Sequence, residues 1–336
     1  MSEGDKMEGT EEKKLAWLQP ELMNRFKRNL KHGDLLHAYL FEGTTGTGKK
    51  EMAMWLAQSL FCQDKVDGSP CGVCLNCKRV ADHQHPDVLE IEPDGLSIKV
   101  DQVRELKTEF SKSGVESRQK VFIVTDVEKM TVGAANSLLK FLEEPDGTVV
   151  AFLLTTAKNR ILPTILSRCQ LVHFSPLPKQ ILLQELEKLE ISEKQGALLV
   201  HLTNSLDSAV EMNRNEWFNE AREIIWKWFH QISKNEKQAF IFVQTDIITH
   251  FKERENQQLA LDMLLLAYRD ALMLYYRSVD LLAFPQHQDV LNRFQQKVNG
   301  KKLTESIEMI LTSKKKLESN VSAQGVFEQL TLLLMD

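Results

Sequence analysis

The stretch GTTGTGKK, residues 43–50, lies between an apolar run, HAYLFE (37–42), and a segment with helical spacing that starts at Lys49. A strand that turns through glycines into a helix is the setting of a phosphate-binding loop, G-x-x-x-x-G-K followed by Ser or Thr. Gly43, Gly46, Gly48 and Lys49 fit that pattern, and Lys50 stands where the hydroxyl belongs. The hydroxyl normally holds Mg2+, which an ammonium repels. Nucleotide binding is therefore compatible with the loop, and hydrolysis should be badly impaired. A glycine-rich turn with no ligand is the bland alternative.

Working outward, short runs rich in Val, Ile, Leu and Phe recur as DVLEI (87–91), VFIVTD (121–126), VVAFLLTT (149–156) and LVHF (171–174). Each is too short for a helix and reads as a buried strand. Helical patterns lie between them at 49–61, 100–111, 131–144 and 161–167. This alternation predicts an α/β fold with a mostly parallel sheet covered on both faces. After FSPLP (174–178) no strong strand signal remains, and segments such as LLQELEKLE (182–190) and AREIIWKWF (221–229) predict an all-helical last third. Pro176 and Pro178 mark a first boundary, and a second is expected near Asn213. The expected organisation is a disordered tail over 1–14, a P-loop domain over 15–176, a helical lid over 177–213 and a helical domain over 214–336.

The 336-residue chain carries 42 basic and 47 acidic residues, a net charge of -5, so any nucleic-acid contact must be local. Its acidic start, MSEGDKMEGTEEKK, resembles neither a signal peptide nor an anchor. Asp262, Arg269 and Asp270 interrupt the most apolar later segment (259–276), which argues for a buried soluble helix over a membrane span. A cytoplasmic protein is expected, and disulfides are rare in that reducing compartment.

The cysteines therefore need another role. Cys62, Cys71, Cys74 and Cys77 form C-x8-C-x2-C-x2-C, a spacing that brings four thiolates onto one tetrahedral Zn2+. Four cysteine ligands leave no position for water, so the metal would be structural. An iron–sulfur cluster is the rival. A P-loop hydrolase also needs acidic residues at the end of a neighbouring strand. Asp126 is placed for metal binding, or equally for a turn or helix cap, but the next residue is Val127. Glu128 comes one step later, and continued strand geometry would turn it to the other side. Arg168, in ILPTILSRCQ (161–170), reads either as a surface arginine at a helix C-terminus or as a cation aimed at a phosphate on another subunit. Ser167 and Cys169 read as ordinary capping or buried residues.

Together, HAYLFEGTTGTGKKEMAMWLAQSLFC (37–62), the cysteine module, KMTVGAANSLLKFLEEP (129–145) and TTAKNRILPTILSRCQ (155–170) resemble bacterial clamp-loader AAA+ subunits of DNA polymerase III. The specific motifs cover about residues 15–215; the last third matches in helical character and in its NVSAQGVFEQLTLLL ending (320–334). The resemblance implies a zinc module over 62–77 and a C-terminal collar that oligomerises. It makes Arg168 an arginine finger for the ATP site of a neighbouring gamma/tau motor subunit. It also implies a hetero-pentamer with the motor subunits and a delta subunit, which places a sliding clamp on primed DNA during replication. Lys50, Val127 and Asp207, the last where the motors carry a nucleotide-sensing Arg, depart from the motor pattern in three separate places. They imply a non-motor, stator subunit whose own site no longer turns over ATP, while Thr155 and Thr156 keep the first sensor position. An active motor subunit of the same loader and a zinc-dependent DNA-binding protein, with Lys78 and Arg79 beside the metal, are the alternatives. A P-loop kinase has no visible acceptor site.

Overall fold

The computed structural model describes residues 12–111, 119–143, 148–278, 281–319 and 321–336. The chain forms two compact units, residues 1–177 and 178–336.

In the first unit, helical residues 12–18 (α1) and α2 (Pro20–His32) precede β1 (Ala38–Glu42) and α3 (Lys49–Phe61). Then follow α4 (Leu75–Ala81), β2 (Val88–Ile91), α5 (Val100–Ser111), β3 (Gln119–Val124), α6 (Val132–Glu143), β4 (Thr148–Thr155), α7 (Pro163–Leu166) and β5 (Gln170–His173). The five strands form one sheet in the order β2-β3-β4-β1-β5, and every pairing is parallel. Because successive strand side chains point to opposite faces, each strand supplies two cores. Leu40, Phe122, Val124, Ala151 and Leu153 enter a core with α6 residues Ala134 and Leu138. Tyr39, Phe41, Val121, Ile123 and Phe152 enter another, with Phe26 of α2 and Met52, Trp55 and Leu56 of α3. The aromatic side is close-packed: Phe41 lies 4.8 Å from Phe174 and 5.5 Å from Phe152 between ring centroids. This is the doubly covered parallel sheet expected from the sequence.

Two local expectations are corrected. Residues 1–11 of the expected tail lie outside the described residues, but 12–14 are helical, because Leu15 and Leu18 one turn on are buried and give the helix a face to cover. The third strand ends at Val124 rather than Asp126. Thr125 N–H still donates to Ile91 O (2.9 Å), after which Asp126 takes a left-handed φ of 51° and Val127–Lys129 form a 3-10 turn.

In the second unit every element among the described residues is helical. These are α8 (Lys179–Lys188), α9 (Glu193–Leu202), α10 (Leu206–Arg214), α11 (Glu216–Ser233), α12 (Gln238–Phe242), α13 (Ile248–His250), α14 (Arg254–Tyr275), α15 (Gln288–Gln295), α16 (Gly300–Glu318) and α17 (Ala323–Met335). One apolar core runs from Leu182 through Trp228 and Tyr268 to Leu334, so packing draws no line at Asn213. The charges inside α14 are accounted for. Asp262 pairs with Lys314, and the fully buried Asp270 accepts from the N–H groups of Ala283 (2.7 Å) and Phe284 (2.8 Å) and from Arg269 (2.6 Å). Among the described residues no helix is long and apolar enough to cross a membrane.

Candidate nucleotide site and metal centre

β1 delivers the chain to Gly43, whose N–H donates to Thr155 O at the end of β4 (3.2 Å). A Cβ at Gly43 would lie 2.5 Å from the carbonyl oxygen of Phe174, so no larger residue fits. Gly46 (φ 82°) and Gly48 (φ 87°) are left-handed, which glycine adopts without strain. Gly48 caps α3, whose first-turn N–H groups have no partners within the helix and form an anion-favouring end. The loop is braced from outside: Gln19 Nε2 donates to Thr47 O (3.0 Å) and Ser175 O (2.8 Å), and Leu15 and Leu18 pack against Gly48.

The two lysines have different surroundings. Lys49 Nζ donates to Gly43 O (2.6 Å) and Thr44 O (2.7 Å); burial pulls its pKa below the ordinary lysine value, against the fields of Glu128, Glu51 and Asp126. Lys50 Nζ is turned to the end of β2, 2.5 Å from Glu92 and 3.7 Å from Glu90. Burial alone would lower its pKa, but the hydrogen bond and field of Glu92, then those of Glu90, outweigh it and hold the ammonium charged. The position that would carry a metal-binding hydroxyl is thus occupied by a cation paired with Glu92 and, more distantly, with Glu90, which His83 also contacts.

At the end of β3, Val127 is buried in the sheet core and offers no chemistry. Asp126 makes no side-chain helix cap and instead accepts from Lys129 Nζ (2.9 Å). The expectation that Glu128 turns away is overturned. The 3-10 turn replaces strand alternation, and Glu128 Oε1 accepts from the N–H (3.1 Å) and Oγ1 (2.7 Å) of Thr156, just beyond β4. Burial works to raise the Glu128 pKa, but hydrogen bonds from Thr156 and Thr155 hold it below the usual carboxylate value. Glu128 is also the foremost of the carboxylates whose field acts on Lys49. Sequence reading missed it because the signal, an Asp that tolerates positive φ just before a 3-10 turn, is visible only once the strand end is fixed.

The four cysteines converge. Cys62 follows α3, Cys74 caps α4, and the four Sγ atoms lie within 4.8 Å of one another, with Cys71 and Cys77 4.0 Å apart. A tetrahedron with Zn–S bonds near 2.3 Å has S–S edges of about 3.8 Å, so the set fits the ion. Backbone N–H groups point at the sulfurs: Cys71 N to Cys62 Sγ (3.2 Å), Cys74 N to Cys71 Sγ (3.4 Å) and Cys77 N to Cys74 Sγ (3.5 Å). Such donors stabilise thiolate charge. Burial works to raise the Cys74 pKa, but the N–H groups of Gln63 and Cys77 outweigh it and bring the thiol down to about 6. The cluster can hold a structural metal ion, joining the end of α3 to the start of α4.

Arg168 lies between α7 and β5 on the surface. It is held by Glu143 at the end of α6, by Thr164 O (3.0 Å) and by Ser167 Oγ (3.4 Å). Ser167 donates to Thr164 O (3.1 Å), a local capping role. Cys169 packs on the sheet core, and burial pushes its thiol up to about 12. Asp207 belongs to the second unit, in the first turn of α10, where a negative charge suits the helix N-terminus.

Over 324 residues the chain is 40% identical to the DNA polymerase III subunit delta' of Bacillus subtilis, covering 96% of this chain and 98% of that protein. The chain belongs to the DNA polymerase III delta' family. The family profile described as "DNA polymerase III, delta subunit" matches residues 18–178, the α/β unit almost end to end. The tau subunit of Escherichia coli DNA polymerase III is 34% identical over 171 residues, 51% of this chain and 26% of tau. A gamma subunit-related protein of Thermotoga maritima aligns in structure over 88% of this chain and 99% of its own, at 20% identity and a TM-score of 0.44. The likeness to tau covers about half of this chain, whereas the delta' likeness covers nearly all of it and so extends through the helical unit.

Proposed function

We propose that this chain is the stator of the DNA polymerase III clamp loader: a cytoplasmic, non-motor subunit that does not turn over ATP itself and lends Arg168 to a neighbouring motor subunit. The observation that carries this reading is the Lys50 ion pair with Glu92 and Glu90. It fills the Mg2+-binding position with a fixed positive charge, and Val127 is lost to the core. Gly43, Gly46, Gly48, Lys49 and Asp126 then form a vestigial nucleotide site, where ATP or ADP is at most held. Arg168 supports the second half of the reading. It is solvent-accessible and held by one surface carboxylate, a carbonyl and the Ser167 hydroxyl, partners it can exchange for a phosphoryl group. A cation placed against developing phosphoryl charge contributes on the order of a thousandfold or more.

The partners on this reading are the gamma/tau motors and the delta subunit in a hetero-pentamer, the sliding clamp, and primed DNA through the assembled complex. The helical unit serves as lid and collar. Cys62, Cys71, Cys74 and Cys77 hold structural Zn2+, which supplies folding free energy and no catalysis.

One observation favours a second reading, an active motor subunit. Glu128 lies on the Thr156 sensor and acts on Lys49, where a base for water would be useful. ATP hydrolysis by the purified chain with Mg2+ and primed DNA separates the two. The stator reading expects no turnover, and Arg168→Ala should leave the reconstituted loader assembled while lowering its DNA-stimulated turnover at least tenfold. Robust turnover by the chain alone would install the motor reading, and unchanged turnover of the Arg168→Ala loader would remove the finger.

A further inference from the structure

The helical unit carries a feature that no part of the nucleotide or metal chemistry uses. Tyr275 and Tyr276 end α14 on the surface, Tyr276 with 68% of its area exposed. The two rings stand edge to face, centroids 5.1 Å apart at 84°. They are seated against the start of α16: a Cβ on Gly300 would meet Tyr275 Cε1 at 2.8 Å and Tyr276 Oη at 2.9 Å, so the glycine lets both rings lie close to the helix start. An exposed aromatic pair packed on a helix start offers a platform for stacking.

The segments that carry the rings and Gly300 are basic in a chain that is acidic as a whole. The segments that meet at the platform, YYRS (275–278) and QQKVNGKK (295–302), contain Arg277, Lys297, Lys301 and Lys302 and no acidic residue. Arg277 directly follows Tyr276 with a left-handed φ of 55°, and the Lys301 side chain is 85% exposed, with Glu305 3.8 Å away as a surface partner. Base faces stack on such rings without regard to sequence, and phosphates take up such cations. A double helix hides its base faces; a single strand offers them.

We propose that Tyr276, backed by Tyr275 and served by the cations of the adjoining segments, Arg277, Lys297 and Lys301, is a stacking site for single-stranded DNA. The site belongs to the second unit and uses none of the P-loop residues or Arg168, so it holds or fails independently of the stator reading. The test is fluorescence anisotropy of a labelled oligo-dT with the intact full-length chain at low salt. Measurable binding is expected, weakening with salt at a log–log slope of about -2, from roughly -0.7 per phosphate neutralised with about three cations engaged. Tyr276→Ala should weaken binding about fivefold or more, the low end for one lost stack, and Tyr276→Phe should restore it. Arg277→Glu with Lys301→Glu should flatten the salt slope. Thermal unfolding of each variant should match the parent, which separates lost binding from lost fold. No binding, equal affinity in Tyr276→Ala, or equal affinity for blunt duplex would overturn the proposal. So would a Tyr276→Ala chain that keeps oligo-dT but loses assembly with other subunits, which would make the platform a protein contact.

Discussion

At the scale of the residue, Lys50 concentrates the question of turnover. Its ammonium lies 2.5 Å from Glu92 and 3.7 Å from Glu90, at the residue where a P-loop usually carries the hydroxyl that binds Mg2+. Lys50→Thr removes the cation, releases Glu92, leaves Glu90 on His83 and supplies a hydroxyl ligand for Mg2+. Calorimetric titration should show nucleotide affinity rising several-fold with Mg2+ present and little changed in EDTA. Turnover of the variant reports on Glu128. If hydrolysis stays absent, the departures at Val127 and Asp207 are enough to block it; if it appears, Glu128 on Thr156 is the candidate base. Equal Mg2+ dependence in parent and variant would show that Lys50 does not govern metal entry.

At the scale of the element, the boundaries of α3 and α5 and the identities of all five strands were legible, because apolar runs and helical spacing respond to the same burial that forms the sheet. What was not legible depends on tertiary contacts. Glu128 was misplaced because one left-handed residue, Asp126, ends the strand early. Gln19 bridging Thr47 and Ser175 joins residues 156 apart in sequence, which no local pattern encodes. The same holds for α14, where the apolar signal was plain and the role of its charges was not. Arg269 of α14 and Lys179 of α8 both face His201 of α9, whose Nε2 meets Leu281 O at 3.0 Å. Burial, then Arg269 and Lys179, push the His201 pKa down to about 3, while an unfolded histidine titrates near 6.5. The unfolded chain therefore binds more protons between these values. Stability of this cluster is present above about pH 6.5 and is lost as pH falls, by at most about 1.4 kcal/mol per pH unit. Thermal unfolding of the helical unit followed from pH 7.5 to 5 should show this slope, and His201→Gln should flatten it; identical slopes would mean that His201 is accessible to protons in the fold.

At the scale of the whole molecule, each unit has its own apolar core, two sheet faces in residues 15–174 and one helical core in residues 182–334. The cysteine cluster belongs to the first unit alone, where it ties the end of α3 to the start of α4. A structural metal adds its binding free energy to folding, and thiolate ligands make that contribution sensitive to chelators. Loss of the metal should therefore act on one unit and spare the other. Calorimetry of the intact chain should resolve two transitions. Cys74→Ser, or a strong chelator, should lower one of them; each kcal/mol lost moves a unit of this size by about 2–4 °C, so a deficit of about 3 kcal/mol lowers it by roughly 6–12 °C. The other transition should stay in place and reappear unchanged in a 178–336 fragment. Metal analysis should find one zinc per parent chain and none in Cys74→Ser. A single transition that shifts as a whole would show that the units fold as one body, and a parent chain free of zinc would leave the four thiols to packing alone.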